Sequence, residues 1–95
     1  MAEIIWTRSA LRDLKYIHQY ISEDSKYYAD RFILNLIARV DILEKFPISG
    51  RIVPEKEDHT IRELIEGNYR IFYKADKGNK IFILRIHHGA KNISK

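Results

Sequence analysis

The spacing of apolar residues changes once along this chain of 95 residues, and the change divides it into two regions. Between Ala10 and Leu43 the apolar residues recur every three or four positions, which is typical of helices with one buried face. From Ile61 onward they alternate with polar residues, which is typical of strands with one buried face. The sequence therefore predicts an α+β fold in which helices precede most of the strands.

The first region predicts one strand followed by two helices. Residues 3–6 are rich in β-formers, and Thr7 or Ser9 can then cap a helix. Residues 22–25 supply further capping side chains before a second helix, which must stop before Pro47. Two helices joined by so short a link form a helical hairpin. Four tyrosines are expected to fill the interface of these helices while their hydroxyl groups reach water: Tyr16, Tyr20, Tyr27 and Tyr28.

The second region predicts three strands joined by turns at residues 67–68 and 76–79. A two-residue first turn pairs Glu66 with Tyr69 and so assigns each side chain to a face of the sheet. The face toward the helices is then expected to contain Leu64, Tyr69, Ile71 and Tyr73, joined by Phe82, Leu84 and Ile86 if the second turn has an even length. The opposite face, called the open face below, is expected to contain Ile61, Glu63, Arg70, Phe72, Arg85 and His87.

Together these elements predict the order β-α-α-β-β-β over a single domain of residues 1–95. The helical hairpin packs on one face of a small, mainly antiparallel sheet. Between the two regions, residues 54–60 form a charged loop that we expect to be mobile. The formal charge of +4 permits either nucleic acid or an acidic protein as a partner.

The composition also predicts several absences. There is no cysteine, and the four histidines show no metal-ligand spacing, so we expect no metal site. The glycine-rich and nucleophile motifs of common cofactor and hydrolase sites are missing, and we expect no cofactor. No apolar run approaches the roughly 20 residues of a membrane span, which favours a cytoplasmic protein without a membrane partner.

Cationic side chains within the strand region are the main candidates for a functional site. A guanidinium group at Arg70 in the middle of a strand can bind a phosphate or a carboxylate, or else form a cross-strand ion pair with Glu63. Arg51 follows a glycine in a turn, where it is either a rim cation or a solvated loop residue. Arg62 is assigned to the helix-facing side, and we expect it to reach a sheet edge and pair with an acidic residue of a helix.

His87 and His88 end the last strand and must point to opposite faces, so at most one of them can serve a given site. A histidine at this position can act as a general acid or base, since its ordinary pKa is near neutral. The other interpretation is a hydrogen-bonded group that closes the end of the strand. The sequence does not choose between them.

In the order of its helices and strands and in its motifs, the chain resembles the ParE and RelE superfamily of toxins from bacterial type II toxin-antitoxin modules. This superfamily includes plasmid stabilisation proteins. The resemblance extends over essentially the whole chain. It rests on Trp6, Ala10 and Asp13-Leu14, on residues 43–47 with Gly50-Arg51, on Ile61-Arg62-Glu63-Leu64, on Tyr69-Arg70-Ile71-Phe72-Tyr73 and on His88-Gly89-Ala90-Lys91.

The resemblance implies one of two toxic mechanisms. RelE-like members cleave messenger RNA on the ribosome, whereas ParE-like members bind DNA gyrase and are not enzymes. RelE-type nucleases typically carry two lysines in the strand before the Tyr-Arg motif, and this chain has Ile61 and Glu63 there. Other nucleases of the family use a histidine and a glutamate with the matching arginine. If the chain is a nuclease, the catalytic candidates are Glu63, Arg70, His87 and His88.

The pair Gly50-Arg51, together with residues 61–64, favours the ParE-like mechanism. The residues expected to bind the target or another anion are Arg51, Arg62, Arg70, Arg85 and Lys91. A family member that has lost its toxicity is a third interpretation. All three imply a cognate antitoxin that wraps the toxin with an extended and often acidic segment, in a toxin-antitoxin hetero-oligomer. A charge of +4 suits such a partner.

Overall fold

The computed structural model describes residues 1–89, which form a five-stranded sheet with two helices on one face. In chain order the elements are β1 (Glu3–Trp6), α1 (Arg8–Ser22), α2 (Lys26–Asp41) with a short 3-10 turn (Ile42–Glu44), β2 (Arg51–Ile52), β3 (Ile61–Glu66), β4 (Tyr69–Ala75) and β5 (Lys80–His88). This confirms the predicted order with one addition, β2, since Arg51 was predicted as part of a turn and Ile52 was assigned to no element. No helix within residues 1–89 has the length and apolar character needed to cross a bilayer.

The strands lie in the order β1-β5-β4-β3-β2. β1 runs parallel to β5, and the other neighbouring strands are antiparallel, so the predicted mainly antiparallel sheet is confirmed. The helical hairpin lies in the chain between β1 and β2. It covers one face, which leaves the open face with only a small second cluster of apolar side chains.

Both helices begin at capping side chains that the sequence indicated. Thr7, rather than Ser9, caps α1, and its Oγ accepts a hydrogen bond from Ala10 N at 3.2 Å. The same hydroxyl donates to the backbone oxygen of Ile83 at 2.6 Å, which ties the start of α1 to β5. Ser25 caps α2 by accepting from Tyr28 N at 3.1 Å. Each cap satisfies a backbone donor that the first turn of a helix leaves unpaired.

The main core lies between the helices and the predicted face of the sheet. Leu64, Ile71 and Tyr73 are buried there, at 2% exposure or less, and Tyr69 packs at the margin. The register Glu66 with Tyr69 that assigned these residues is confirmed. The helices contribute Ala10, Ile17, Leu36 and Val40 to the same core. The open face carries Phe72 with Val53 from the loop after β2.

The predicted face is wrong for two residues of β5, Phe82 and Leu84. The core instead contains Ile81 and Ile83, because the second turn shifts the pairing to Tyr73 with Ile83. A bulge then inserts one extra residue into β5, and the register returns so that Ile86 lies opposite Ile71. The two shifts cancel beyond the bulge. Ile86 therefore lies in the core as predicted, whereas Leu84 packs against the cluster on the open face.

The prediction that four tyrosines fill the helix interface is also wrong. Tyr16, Tyr20, Tyr27 and Tyr28 expose between 63% and 72% of their surface. Smaller or aliphatic residues take the interior positions instead, including Ala10 and Ala29 at 0% exposure. Small side chains let the backbones of packed elements approach closely, and the tyrosines are left on the outer flanks of the hairpin.

Candidate functional site

The candidate site is a network of two arginines and two glutamates on the open face, called the arginine-glutamate network below. β3 places Glu63 directly opposite Arg51 of β2, and β4 places Arg70 opposite Ile65, one diagonal step from Glu63. Glu63 is 1% exposed, and each of its oxygens accepts from a different arginine. The distances are 2.6 Å from Arg70 Nε to Oε1 and 2.5 Å from Arg51 Nε to Oε2.

The outer edge of Arg70 is occupied by a fourth residue, Glu55. Arg70 Nη1 and Nη2 donate to the two oxygens of Glu55 at 2.5 and 2.7 Å in a bidentate pair. The guanidinium also lies over the ring of Phe72, with Cζ 5.1 Å from the ring centroid. The cross-strand pair of Arg70 with Glu63 is therefore confirmed. An accessible Arg70 guanidinium is not seen, since the residue is only 6% exposed.

The ion pair between Arg70 and Glu55 shifts the pKa of both groups. The hydrogen bonds that Arg70 donates to Glu55 and Glu63 raise its pKa further above the usual range. The hydrogen bonds from Arg70 lower the pKa of Glu55 from 4.5 to about 2, and the charge of Arg51 contributes in the same direction. Arg70 and Glu55 are therefore both charged at neutral pH.

Glu55 should make the stability of the fold depend on pH in the acid range. Its pKa is lower in the folded chain, so its contribution is complete above pH 4.5 and is lost as the pH falls toward 2. We expect Glu55→Gln to be less stable than the parent at pH 7, and the difference to shrink between pH 4.5 and 2. Thermal unfolding across this range measures it. Glu57→Gln, in the same loop, is the matched control, and a gap of constant size would contradict the assignment.

The remaining predicted arginines of β2 and β3 have different environments. Arg51 combines both of its predicted roles, since its side chain is 62% exposed and still pairs with Glu63. Arg62 does not pair with an acidic residue of a helix, so that part of the prediction is wrong. Its Nη1 instead donates to the backbone oxygen of Gly50 at 2.8 Å, in the turn before β2.

Arg85 was expected beside Glu63 and Arg70, but its guanidinium pairs with Asp13 of α1. Arg85 Nε and Nη2 donate to the two carboxylate oxygens at 2.9 and 3.2 Å. Asp13 also accepts from the backbone N–H of Ile86 at 2.8 Å, which satisfies a donor on β5 beyond the end of β1. The pair raises the pKa of Arg85. Arg85 therefore connects the sheet to α1 and lies outside the arginine-glutamate network.

The two histidines point to opposite faces, as predicted. The ring of His87 packs edge-on against Phe72 on the open face, with ring centroids 5.7 Å apart. The ring of His88 packs edge-on against Tyr69 on the helix-facing side at 5.5 Å. β5 places His87 opposite Arg70 in the register, so the predicted grouping of Glu63, Arg70 and His87 on one face is confirmed. Their catalytic role stays a prediction.

Two further predictions concern metal binding and Lys91. Within residues 1–89, no group of three or more histidine, aspartate or glutamate residues is placed to bind a metal ion. Lys91, predicted to bind the target or another anion, lies outside the described residues. A cavity of about 480 Å³ lies between α1 and β5, and its lining includes Tyr16 and Tyr20 of α1 and Arg85 and His88 of β5.

Glu55 is the member of the arginine-glutamate network that the sequence did not indicate. Residues 54–60 contain two glutamates and an aspartate, and nothing in their spacing selects Glu55. One sequence feature bears on where this loop lies, the apolar Val53 that precedes Pro54. Val53 is 1% exposed and anchors the loop on the open face, which places Glu55 beside Arg70.

The arrangement limits what the network can do chemically. A general base must come within hydrogen-bond reach of the substrate proton. Both oxygens of Glu63 already accept from the guanidinium groups of Arg51 and Arg70, and Glu55 covers the outer edge of Arg70. In this state the network presents no accessible base, and an incoming anion would have to displace Glu55.

Comparison with known proteins identifies related chains along nearly the whole length. Residues 4–93 match the family model described as the ParE toxin of the type II toxin-antitoxin system parDE. The chain is 37% identical over 92 residues to Toxin RelE2 of Caulobacter vibrioides, covering 96% of this chain and 99% of the relative.

Solved structures with a similar fold include two from toxin-antitoxin systems. One is described as the chromosomal ParDE TA system from P. aeruginosa, with a TM-score of 0.75 and 26% identity, covering 93% of this chain and 96% of the other. The second is the toxin-antitoxin complex RelBE2 from Mycobacterium tuberculosis, with a TM-score of 0.69, 21% identity and coverage of 92% and 96%. The second likeness bears on the fold alone.

Proposed function

Because this chain belongs to the ParE toxin family of type II toxin-antitoxin systems, we propose that it binds DNA gyrase and inhibits it through this protein-protein contact. The observation that carries the proposal is the match of the ParE family model from residue 4 to residue 93. Gyrase acts in the bacterial cytoplasm, and the chain is proposed to act there too.

The candidate site supports a binding role more than a hydrolytic one. A nuclease needs an accessible base together with cations that stabilise the charge of the transition state. Glu63 is 1% exposed between two arginines, and Arg70 is bound on both edges by carboxylates. The positions that hold lysines in RelE-type nucleases are Ile61 and Glu63. This chain therefore lacks two of the cations that such chemistry uses.

A cognate antitoxin is the second proposed partner. The two similar structures are described as a toxin-antitoxin system and a toxin-antitoxin complex, each with a chain of this fold. The net charge of +4 favours a partner segment that is acidic, since opposite charges increase the rate of association. We propose that this antitoxin neutralises the toxin in a hetero-oligomer.

Ribosome-dependent cleavage of messenger RNA is the alternative function. It is favoured by one observation, the name Toxin RelE2 of a relative with 37% identity over 92 residues. On this alternative, Arg70 and His87 would contact the RNA after Glu55 leaves Arg70.

A supercoiling assay with purified DNA gyrase separates the two functions. We expect the purified chain to inhibit supercoiling in proportion to its concentration, and the cognate antitoxin to restore it. In cells, induction should produce filaments and a DNA damage response while transcripts stay intact.

Rapid cleavage of transcripts without filamentation would contradict gyrase inhibition and support the nuclease. Normal growth after induction of a folded chain would instead indicate a family member without toxicity. Circular dichroism of the purified chain shows whether it is folded, so that misfolding is not mistaken for lost toxicity.

A further inference from the structure

We propose that Arg70 and Arg51 form a binding site for a carboxylate side chain of a partner protein, and that Glu55 occupies this site in the unbound chain. The inference rests on the proposed function, because it names the chemistry by which this face would bind a protein. Glu55 then acts as an internal competitor, and binding exchanges one carboxylate for another.

The geometry of Arg70 supports a site for a planar anion. Its Nε is committed to Glu63, whereas Nη1 and Nη2 point outward and bind both oxygens of Glu55 at 2.5 and 2.7 Å. Two parallel N–H···O bonds of this kind match the shape of a carboxylate. The guanidinium also lies over the ring of Phe72. The outer edge of Arg70 is thus already arranged for the group that we propose it binds.

The two glutamates differ in how firmly they are attached. Glu63 lies within β3, where it is 1% exposed, so it stays with the sheet. Glu55 lies in the segment between β2 and β3, which has neither helix nor strand, and its side chain is 30% exposed. Loop segments with few backbone hydrogen bonds rearrange at lower cost than strands do. Glu55 can therefore leave Arg70 while Glu63 remains.

The charge balance makes the vacated position attractive to an anion. With Glu55 in place, two arginines face two glutamates. When Glu55 leaves, Glu63 alone compensates two cations, and one positive charge remains. Arg51, with 62% of its side chain exposed, already favours the charged form of Glu55 and would act on an incoming anion in the same way.

The surroundings favour a protein carboxylate over the phosphates of a nucleic acid. Residues 54–58 contain two glutamates, one aspartate and one lysine, which gives this rim a formal charge of −2. A nucleic acid strand carries a charge at every nucleotide and would meet this acidic rim along its backbone. A single aspartate or glutamate side chain avoids most of that repulsion.

Peptide titrations followed by NMR test the site directly. The probe is the peptide N-acetyl-Gly-Gly-Glu-Gly-Gly-amide, and its Gln analogue is the uncharged control. The readout is the side-chain Nε–H signal of Arg70, assigned by its loss in Arg70→Lys. Glu55→Gln and Glu55→Ala remove the internal competitor, while Glu57→Gln makes the same change of charge in the same loop.

We expect Glu55→Gln and Glu55→Ala to bind the Glu peptide roughly tenfold more tightly than the parent, since a tethered group competes at millimolar effective concentration. Glu57→Gln should bind as the parent does, and the Gln peptide should not shift the signal. Equal affinities in the parent and both Glu55 variants would overturn the proposal. So would an equal gain in Glu57→Gln, or a response of Arg70 to an RNA hexanucleotide but not to the Glu peptide.

This test is independent of the gyrase assay. If the peptide does not bind while the chain still inhibits supercoiling, the carboxylate site is wrong and the proposed function stands. If the Glu55 variants bind the peptide but the folded chain leaves gyrase active, the target is wrong and the site stands.

Discussion

Gly50→Ala is expected to destabilise the fold severely, by roughly 3 kcal/mol, the upper end of what overpacking usually costs. A methyl group at this position would lie 2.6 Å from the backbone oxygen of Glu63 and 2.7 Å from the ring and hydroxyl of Tyr73. Both neighbours are fixed, since Glu63 belongs to a paired strand and Tyr73 is 0% exposed. The requirement for glycine therefore comes from close approach of the backbone.

The substitution would also disturb three hydrogen bonds that converge on this turn. Gly50 N donates to Tyr73 Oη at 2.9 Å, and that hydroxyl donates to the backbone oxygen of Pro47 at 2.8 Å. Arg62 donates to the oxygen of Gly50. Moving Gly50 would leave polar groups unpaired in a buried position, and each such group costs about 1–3 kcal/mol.

Urea denaturation of Gly50→Ala against Gly78→Ala measures the effect. Gly78 lies in the turn between β4 and β5, and a methyl group there would come no closer than 3.5 Å to the side chain of Asp76. We expect that control to change the free energy of unfolding by less than about 1 kcal/mol. Similar midpoints for the two variants would show that the turn before β2 yields more easily than its contacts suggest.

Arg70→Met is expected to cost about 3–5 kcal/mol, because it removes the buried partner of a buried charge. Glu63 would keep only Arg51, which is largely exposed, and Glu55 would lose both hydrogen bonds to Arg70. Arg51→Met should cost much less, since pairs with an exposed partner contribute about 1 kcal/mol or less. Chemical denaturation of both variants gives the comparison.

The double variant Arg70→Met with Glu63→Leu separates the charge from the packing. Replacing both members of a buried ion pair by apolar groups is often neutral or stabilising. We therefore expect the double variant to recover most of the stability lost in Arg70→Met, and the cycle to give a large coupling energy. A double variant as unstable as Arg70→Met would mean that Glu63 and Arg70 contribute mainly through their shape.

Much of the fold follows from local signals in the sequence. The caps at Thr7 and Ser25 and the turn at residues 67–68 are set by side chains or spacing within a few residues. The period of the apolar residues then selects the buried face. The first turn and the alternation along the strands also placed Glu63 and Arg70 on one face. His87 shares that face only because the bulge in β5 restores the register that the second turn shifts.

The errors occur where distant parts of the chain decide the outcome. Phe82 and Leu84 were assigned to the wrong face because a turn length and a bulge set the register of β5. The tyrosines on the helices are exposed, while alanine at positions 10 and 29 is fully buried. Arg85 pairs with Asp13, which lies 72 positions away in the chain. None of these relations has a local signature.

The sequence by itself therefore determined every helix, every strand except β2, the family and the shared face of Arg70 and Glu63, because short-range propensity and strand alternation control these features. Only the tertiary structure decided that Arg70 is closed off from solvent. Glu55 reaches Arg70 across 15 positions of chain because Val53 anchors the loop on the open face. Which carboxylate of a charged loop meets a given arginine depends on where that loop lies against the sheet, and spacing along the chain does not encode it.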